Sequence, residues 1–195
     1  MSLALVMVRL PVLALSVLTI GAAYGAVDDF DEVMHSLASR RHGEVSFIEQ
    51  HFFSLLKRPV ESSGSLIYDA PNRLEKRTLE PRPESLLLDG DILTVQRGHR
   101  SHVLELKSHP QILPFVESIR ATLAGDRAAL ERVFRLEFSG NLARWTLLLI
   151  PLDSNLAKAV SQVQIDGSKN DLLKVEIRQA DGDRSLMTLR ASSDR

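Results

Sequence analysis

Two histidines give the first hint of chemistry. His99 and His102 form an H-x-x-H within Arg97-Gly-His-Arg-Ser-His, a spacing that suits a metal when it lies on a helix. The surrounding pattern reads as strand, where positions three apart point to opposite faces, so no metal site is expected. His35, His42, His51 and His109 are scattered, with no carboxylate at a suggestive spacing. Asp89-Gly-Asp91 and Asp181-Gly-Asp183 look like paired carboxylates, but each pair flanks a glycine between strands, and turn chemistry accounts for both. No serine sits in a G-x-S-x-G elbow, and Ser63-Gly-Ser65 reads as a strand entry. Phosphate loops and dinucleotide fingerprints are absent. The chain has no cysteine, which excludes thiol catalysis, zinc-thiolate sites, disulfides and a lipid-modified N-terminal cysteine. A protein that is not an enzyme and carries no cofactor is expected.

The remaining candidates are apolar. Phe47, Tyr68, Phe134, Phe138 and Trp145 fall on strand-like stretches. They can line a ligand cavity or fill an ordinary core, and patterning alone serves both. Leu66, Leu74, Phe115, Leu136, Leu147 and Leu149 complete the set of candidate lipid-binding cavity residues.

The elements that would position these groups follow from periodicity. Phe30, Val33, Met34 and Leu37 recur at helical spacing, which predicts a helix over Asp28–Arg41. Strands follow from Glu44 to Leu106, with Asp89-Gly90 as a strong hairpin signal. Ser108 to Gly125 reads as a second helix. Ser108 and Gln111 form a capping box, and Pro114 either kinks this helix or starts it. Asp126–Val133 adds a short helical turn. The rest alternates as strands, with turns at Ser139-Gly-Asn141, Asp166-Gly167 and Asp181-Gly182. The sum is an α+β fold: an incomplete, half-open antiparallel β-barrel of about ten or eleven strands, with helices over an apolar concave face. Two main helices are a thin cover for so large a sheet, and a partly filled apolar cavity is expected beneath them.

The N-terminus sets the compartment. Arg9 precedes an uncharged run, Leu10 to Ala26, ending in Gly21-Ala-Ala-Tyr-Gly-Ala26. A positive start, a short apolar core and small residues before a cut predict a signal peptide over residues 1–25, and Pro11 interrupts the run. One domain over residues 26–195 remains, soluble in the periplasm. The formal charge is −1 for the whole chain and about −2 without the leader, which gives no electrostatic case for nucleic acid.

Three stretches in order resemble the LolA family of periplasmic carriers of outer-membrane lipoproteins: Val45-Ser-Phe-Ile-Glu-Gln50, Ser63-Gly-Ser-Leu-Ile-Tyr-Asp-Ala-Pro71 and Pro83-Glu-Ser-Leu-Leu-Leu-Asp-Gly90. The likeness runs from about Asp28 to Leu189. Leu123-Ala-Gly-Asp126 and Trp145-Thr-Leu-Leu-Leu-Ile-Pro151 are more similar to a divergent subgroup often associated with aryl-polyene or related lipid biosynthesis. The resemblance implies a half-barrel closed by a helical lid. It also implies a monomeric chaperone that shields the acyl chains of a lipoprotein or other lipid-like ligand. Cargo would pass from an inner-membrane donor complex to an outer-membrane acceptor. Two alternatives stay open: a carrier for a polyene or glycolipid product, and an envelope lipid-sensing interaction module. The family's lid clamp is an Arg just before the Pro of G-x-L-x-x-x-x-P, with a Phe three residues after that Pro. Ala70 and Leu74 stand at these positions here, so closure must rest on other contacts.

Overall fold

Alternation of apolar and polar side chains dictates strands, and strands dominate the architecture. The computed structural model describes residues 23–108 and 113–191, with side chains except those of residues 23–28, Pro114 and Phe115. The expected leader up to residue 22 and the Gln111 half of the capping box therefore lie outside the described residues. Helix α1 (Ala23–Ala38) leads into β1 (His42–Phe52), β2 (Val60–Asp69), β3 (Arg73–Glu80), β4 (Glu84–Asp89), β5 (Ile92–Arg97) and β6 (Arg100–Glu105). A 3-10 turn (Leu106–Ser108), α2 (Leu113–Leu123) and α3 (Arg127–Val133) follow. The chain continues through β7 (Phe134–Asn141), β8 (Arg144–Pro151), α4 (Ser154–Ala157), β9 (Val160–Ser168), β10 (Asp171–Gln179) and β11 (Arg184–Ala191).

All eleven strands form one antiparallel sheet in the order β6-β5-β4-β3-β2-β1-β11-β10-β9-β8-β7. The first and last strands pair at its centre, from Val45 opposite Ala191 to Phe52 opposite Arg184. Strands β6 and β7 stay at opposite edges, so the sheet does not close. This is the expected incomplete barrel with helices.

Several local features follow from single residues. Helix α1 extends back beyond the expected Asp28, through Ala23 to Val27. It ends at Ala38, where the Arg40 N–H turns back onto the Leu37 carbonyl at 3.0 Å. Pro114 lies within α2, whose described residues begin at Leu113. Gly125, with φ at 64°, ends α2, and the Asp126 side chain caps α3 by accepting the Ala129 N–H at 2.9 Å. Asp166-Gly167 is expected to turn the chain but continues β9, and the turn falls two residues later, at Lys169 with φ at 53°. The reason is steric. A Cβ on Gly167 would lie 2.1 Å from the Trp145 ring on β8, so this glycine makes room for an indole rather than for a turn.

The predicted stripe of α1 is buried. Phe30, Val33, Met34 and Leu37 pack on Phe134, Trp145, Leu147 and Leu149 of β7 and β8, with Leu130 of α3 and Leu156 of α4. Helix α4 was not anticipated. Asp153 caps it by accepting the Asn155 and Leu156 N–H groups at 2.9 and 3.0 Å.

Candidate functional site

Helix α1 covers one end of the sheet and leaves the other to α2. Beneath α2 lies an apolar cavity of about 330 Å³. Its floor is the concave face of the sheet, reached by every second residue of each strand. Val45, Leu66, Tyr68 and Leu74 come from β1 to β3, and Leu86, Leu88 and Leu93 from β4 and β5. The opposite wall is Leu172, Val175 and Ile177 of β10 with Met187 and Leu189 of β11. Val116, Ile119 and Leu123 of α2, spaced three and four apart, form the roof.

The candidate residues divide between this cavity and the neighbouring core. Leu66, Tyr68 and Leu74 are on the cavity wall. Phe134, Trp145, Leu147 and Leu149 lie instead in the packed core, with Leu136 and Phe138 against it, because α1 rests on β7 and fills that end. Phe30 and Phe138 stack there at 4.9 Å. Phe47 is buried on the concave face between Val45 and Glu49, under the Lys76 ammonium, which stands 5.0 Å from its ring centre. The Phe115 side chain is outside the described residues. His99 and His102 are exposed at the β5–β6 hairpin, and no group of three or more His, Asp or Glu among the described residues could hold a metal.

Two arginines tie the helical cover to opposite rims. Arg120 of α2 donates to the Gly90 carbonyl at 3.1 Å and to Asn72 Oδ1 at 2.8 Å. Asp91 lies 3.8 Å from the same guanidinium. Arg40, just beyond α1, donates to Asn170 Oδ1 at 3.3 Å and pairs with Asp171 in the β9–β10 turn. At the family's clamp positions, Ala70 donates its N–H to the Arg41 carbonyl at 2.8 Å and Leu74 faces the cavity. The fork geometry of arginine suits such ties. Here α2 and the segment just beyond α1 supply the guanidinium groups, in place of the strand position that the family motif uses.

Among the charged residues that line the cavity, Arg40 and Asp171 stand at one rim, and Glu49 and Lys76 form a pair that the sequence alone does not reveal. Glu49 of β1 is 4% exposed. It accepts from Ser185 Oγ at 2.6 Å, pairs with Lys76 and lies 3.3 Å from His51 Nε2. Burial pushes its carboxyl up, but the hydrogen bonds of His51, Lys76 and Ser185 and the Lys76 charge overcome this and hold it at about 2. An unfolded glutamate titrates near 4.5. A depressed native value stabilises the fold above the unfolded value, and the contribution fades as pH falls from about 4.5 towards about 2. Stability measured by thermal unfolding is therefore expected to drop across that window. The drop should be smaller in Glu49→Gln, and equal slopes would refute the assignment.

The family described as outer membrane lipoprotein carrier protein LolA-like matches residues 21–194. No curated protein matches the chain. Among solved structures, a LolA superfamily protein from Nitrosomonas europaea is similar at 11% identity and a TM-score of 0.43, over 87% of this chain and 94% of that one. The lipoprotein LppX of Mycobacterium tuberculosis is similar at 11% identity and a TM-score of 0.45, over 87% and 97%. The MucA/MucB complex of Pseudomonas aeruginosa gives 12% identity and a TM-score of 0.45, over 86% of this chain and 58% of that chain.

Proposed function

The chain belongs to the LolA-like family of outer membrane lipoprotein carriers, and on that premise we propose that it is a periplasmic carrier that shields acyl chains in the cavity beneath α2. The observation that carries this reading is the cavity itself, about 330 Å³ with a predominantly apolar wall. Magnitude supports an occupant. Apolar wall that is left facing water forfeits roughly 25 cal/mol per Å² that an apolar occupant would bury, so a ligand that covers this wall gains on the order of several kcal/mol. That is a large part of the roughly 5–15 kcal/mol that holds a domain together. The volume is at the lower end of small-ligand sites, which suits a slender hydrocarbon chain.

Leu66, Tyr68 and Leu74 are the candidate residues assigned to acyl contact, with Phe47 beside them. No nucleophile or metal cluster is needed for such a task; the carrier sheathes the chain and releases it to a tighter receptor. A leader over residues 1–25 would deliver the protein to the periplasm, between an inner-membrane donor and an outer-membrane acceptor. No helix among the described residues is long and apolar enough to cross a membrane.

Native mass spectrometry of the protein purified from periplasm tests the reading. A bound acylated species is expected. A protein that emerges empty, and that also fails to take up the apolar dye N-phenyl-1-naphthylamine, would overturn it.

A further inference from the structure

A cavity meant only for hydrocarbon has no use for charge. A buried ion costs more than an apolar side chain of the same volume, yet Glu49, almost fully buried, and Lys76, partly buried, both line this cavity, with Ser185 beside them. Lys76 is on β3 and reaches across β2 to meet Glu49 and Phe47 on β1. On β2, Leu66 stands directly opposite Lys76, and Gly64, opposite Phe47, adds no side chain beside it. The fold thus carries a charged pair across a strand and sets it at the wall.

The pair's valences show what it can still bind. An ammonium has three N–H donors. One goes to Glu49 and another side of the group meets the Phe47 ring, which leaves one donor for an acceptor inside the cavity. Glu49 accepts from Ser185 and Lys76 and has His51 at 3.3 Å, so its negative charge is already matched. The pair is close to neutral. An incoming carboxylate would gain Lys76 but be repelled by Glu49, and an incoming ammonium would meet the reverse. A neutral carbonyl gains the Lys76 donor with no such penalty.

Resting on the carrier reading above, we propose that Lys76, held by Glu49, is a polar anchor for the carbonyl of an acyl ester or amide, so that the cavity selects linked acyl chains over free fatty acids and bare hydrocarbon. The chain would lie against the leucines while its linkage carbonyl accepts from Lys76 Nζ. Hydrogen bonds to charged groups are the stronger class, and one such bond corresponds to roughly tenfold in affinity.

The test is displacement of N-phenyl-1-naphthylamine from the full chain by methyl dodecanoate, N-methyldodecanamide, sodium dodecanoate and methyl dodecyl ether. In the parent, ester and amide should displace the dye at roughly tenfold lower concentration than the ether, and should outcompete dodecanoate. In Lys76→Met the ester-to-ether advantage should shrink towards one. The double variant Glu49→Gln/Lys76→Met should behave alike, and it leaves no orphaned buried carboxylate to impair folding. Reading a ratio of two probes cancels general losses of stability. An unchanged ratio in both variants would overturn the anchor, as would tighter binding of dodecanoate than of the ester. Failure of every probe to displace dye from the parent would instead overturn the carrier reading.

Discussion

Trp145→Ala is expected to lower stability by roughly 3–5 kcal/mol, a Tm shift on the order of 10 °C for a chain of this length. Trp145 is 1% exposed and lies across Gly167, where the neighbouring strand offers backbone instead of a side chain. Truncation would leave a void walled by Leu147, Ile165 and the other core residues, and a β-sheet cannot collapse into it without losing register. The indole N–H adds a directional element. It donates to the Lys169 carbonyl at 3.0 Å, at the turn whose next two residues, Asn170 and Asp171, receive Arg40. The same side chain therefore fills the core and holds one rim of the cavity. Trp145→Phe, which keeps a ring and loses the donor, should fall between parent and alanine variant. Calorimetry or denaturant melts check both, and a Tm for Trp145→Ala within two or three degrees of the parent would show that the ring is not a core element.

This dual placement shows how far the sequence could be read. Alternation along β8 and β10 and the helical stripe of α1 fixed which faces were apolar, and the turns at Gly90 and Gly182 were legible from Asp-Gly pairs. Patterning could not tell core from cavity, because both need the same residue types on the same face. The division is set by where helices fall across the sheet: α1 lands on β7 and buries Trp145, and α2 stands off over Leu66, Tyr68 and Leu74. The β1–β11 pairing joins residues more than a hundred positions apart, and no local signal announces it. Glu49 was hidden for a related reason. Within Phe47-Ile-Glu-Gln50 it looks like an ordinary polar position, but alternation puts it on the inner face with Phe47. Its partners Lys76 and Ser185 come from strands that only the sheet brings near. Gly167 misled in the opposite sense, since a glycine after an aspartate suggests a turn and here serves a tryptophan.

Filling the cavity should separate its two possible meanings. Val175 on β10 faces the void between Ile165 and Met187, its partners on either side, and all three line the wall. Val175→Trp is expected to cut N-phenyl-1-naphthylamine uptake by more than tenfold, because an indole occupies several-fold more of the space than an isopropyl group. The sign of the stability change then decides between a cavity and a packed core. Forcing a large side chain into a close-packed interior costs about 1–3 kcal/mol, whereas placing it in an empty apolar space restores dispersion contacts and removes a void. A cavity therefore predicts lost binding with an unchanged or raised Tm. Retained dye uptake with a Tm lowered by several degrees would mean that the dye binds elsewhere and that the indole meets the protein's own packed side chains beneath α2. The carrier reading would then fall with it, because a chain with no room for an acyl group cannot shield one.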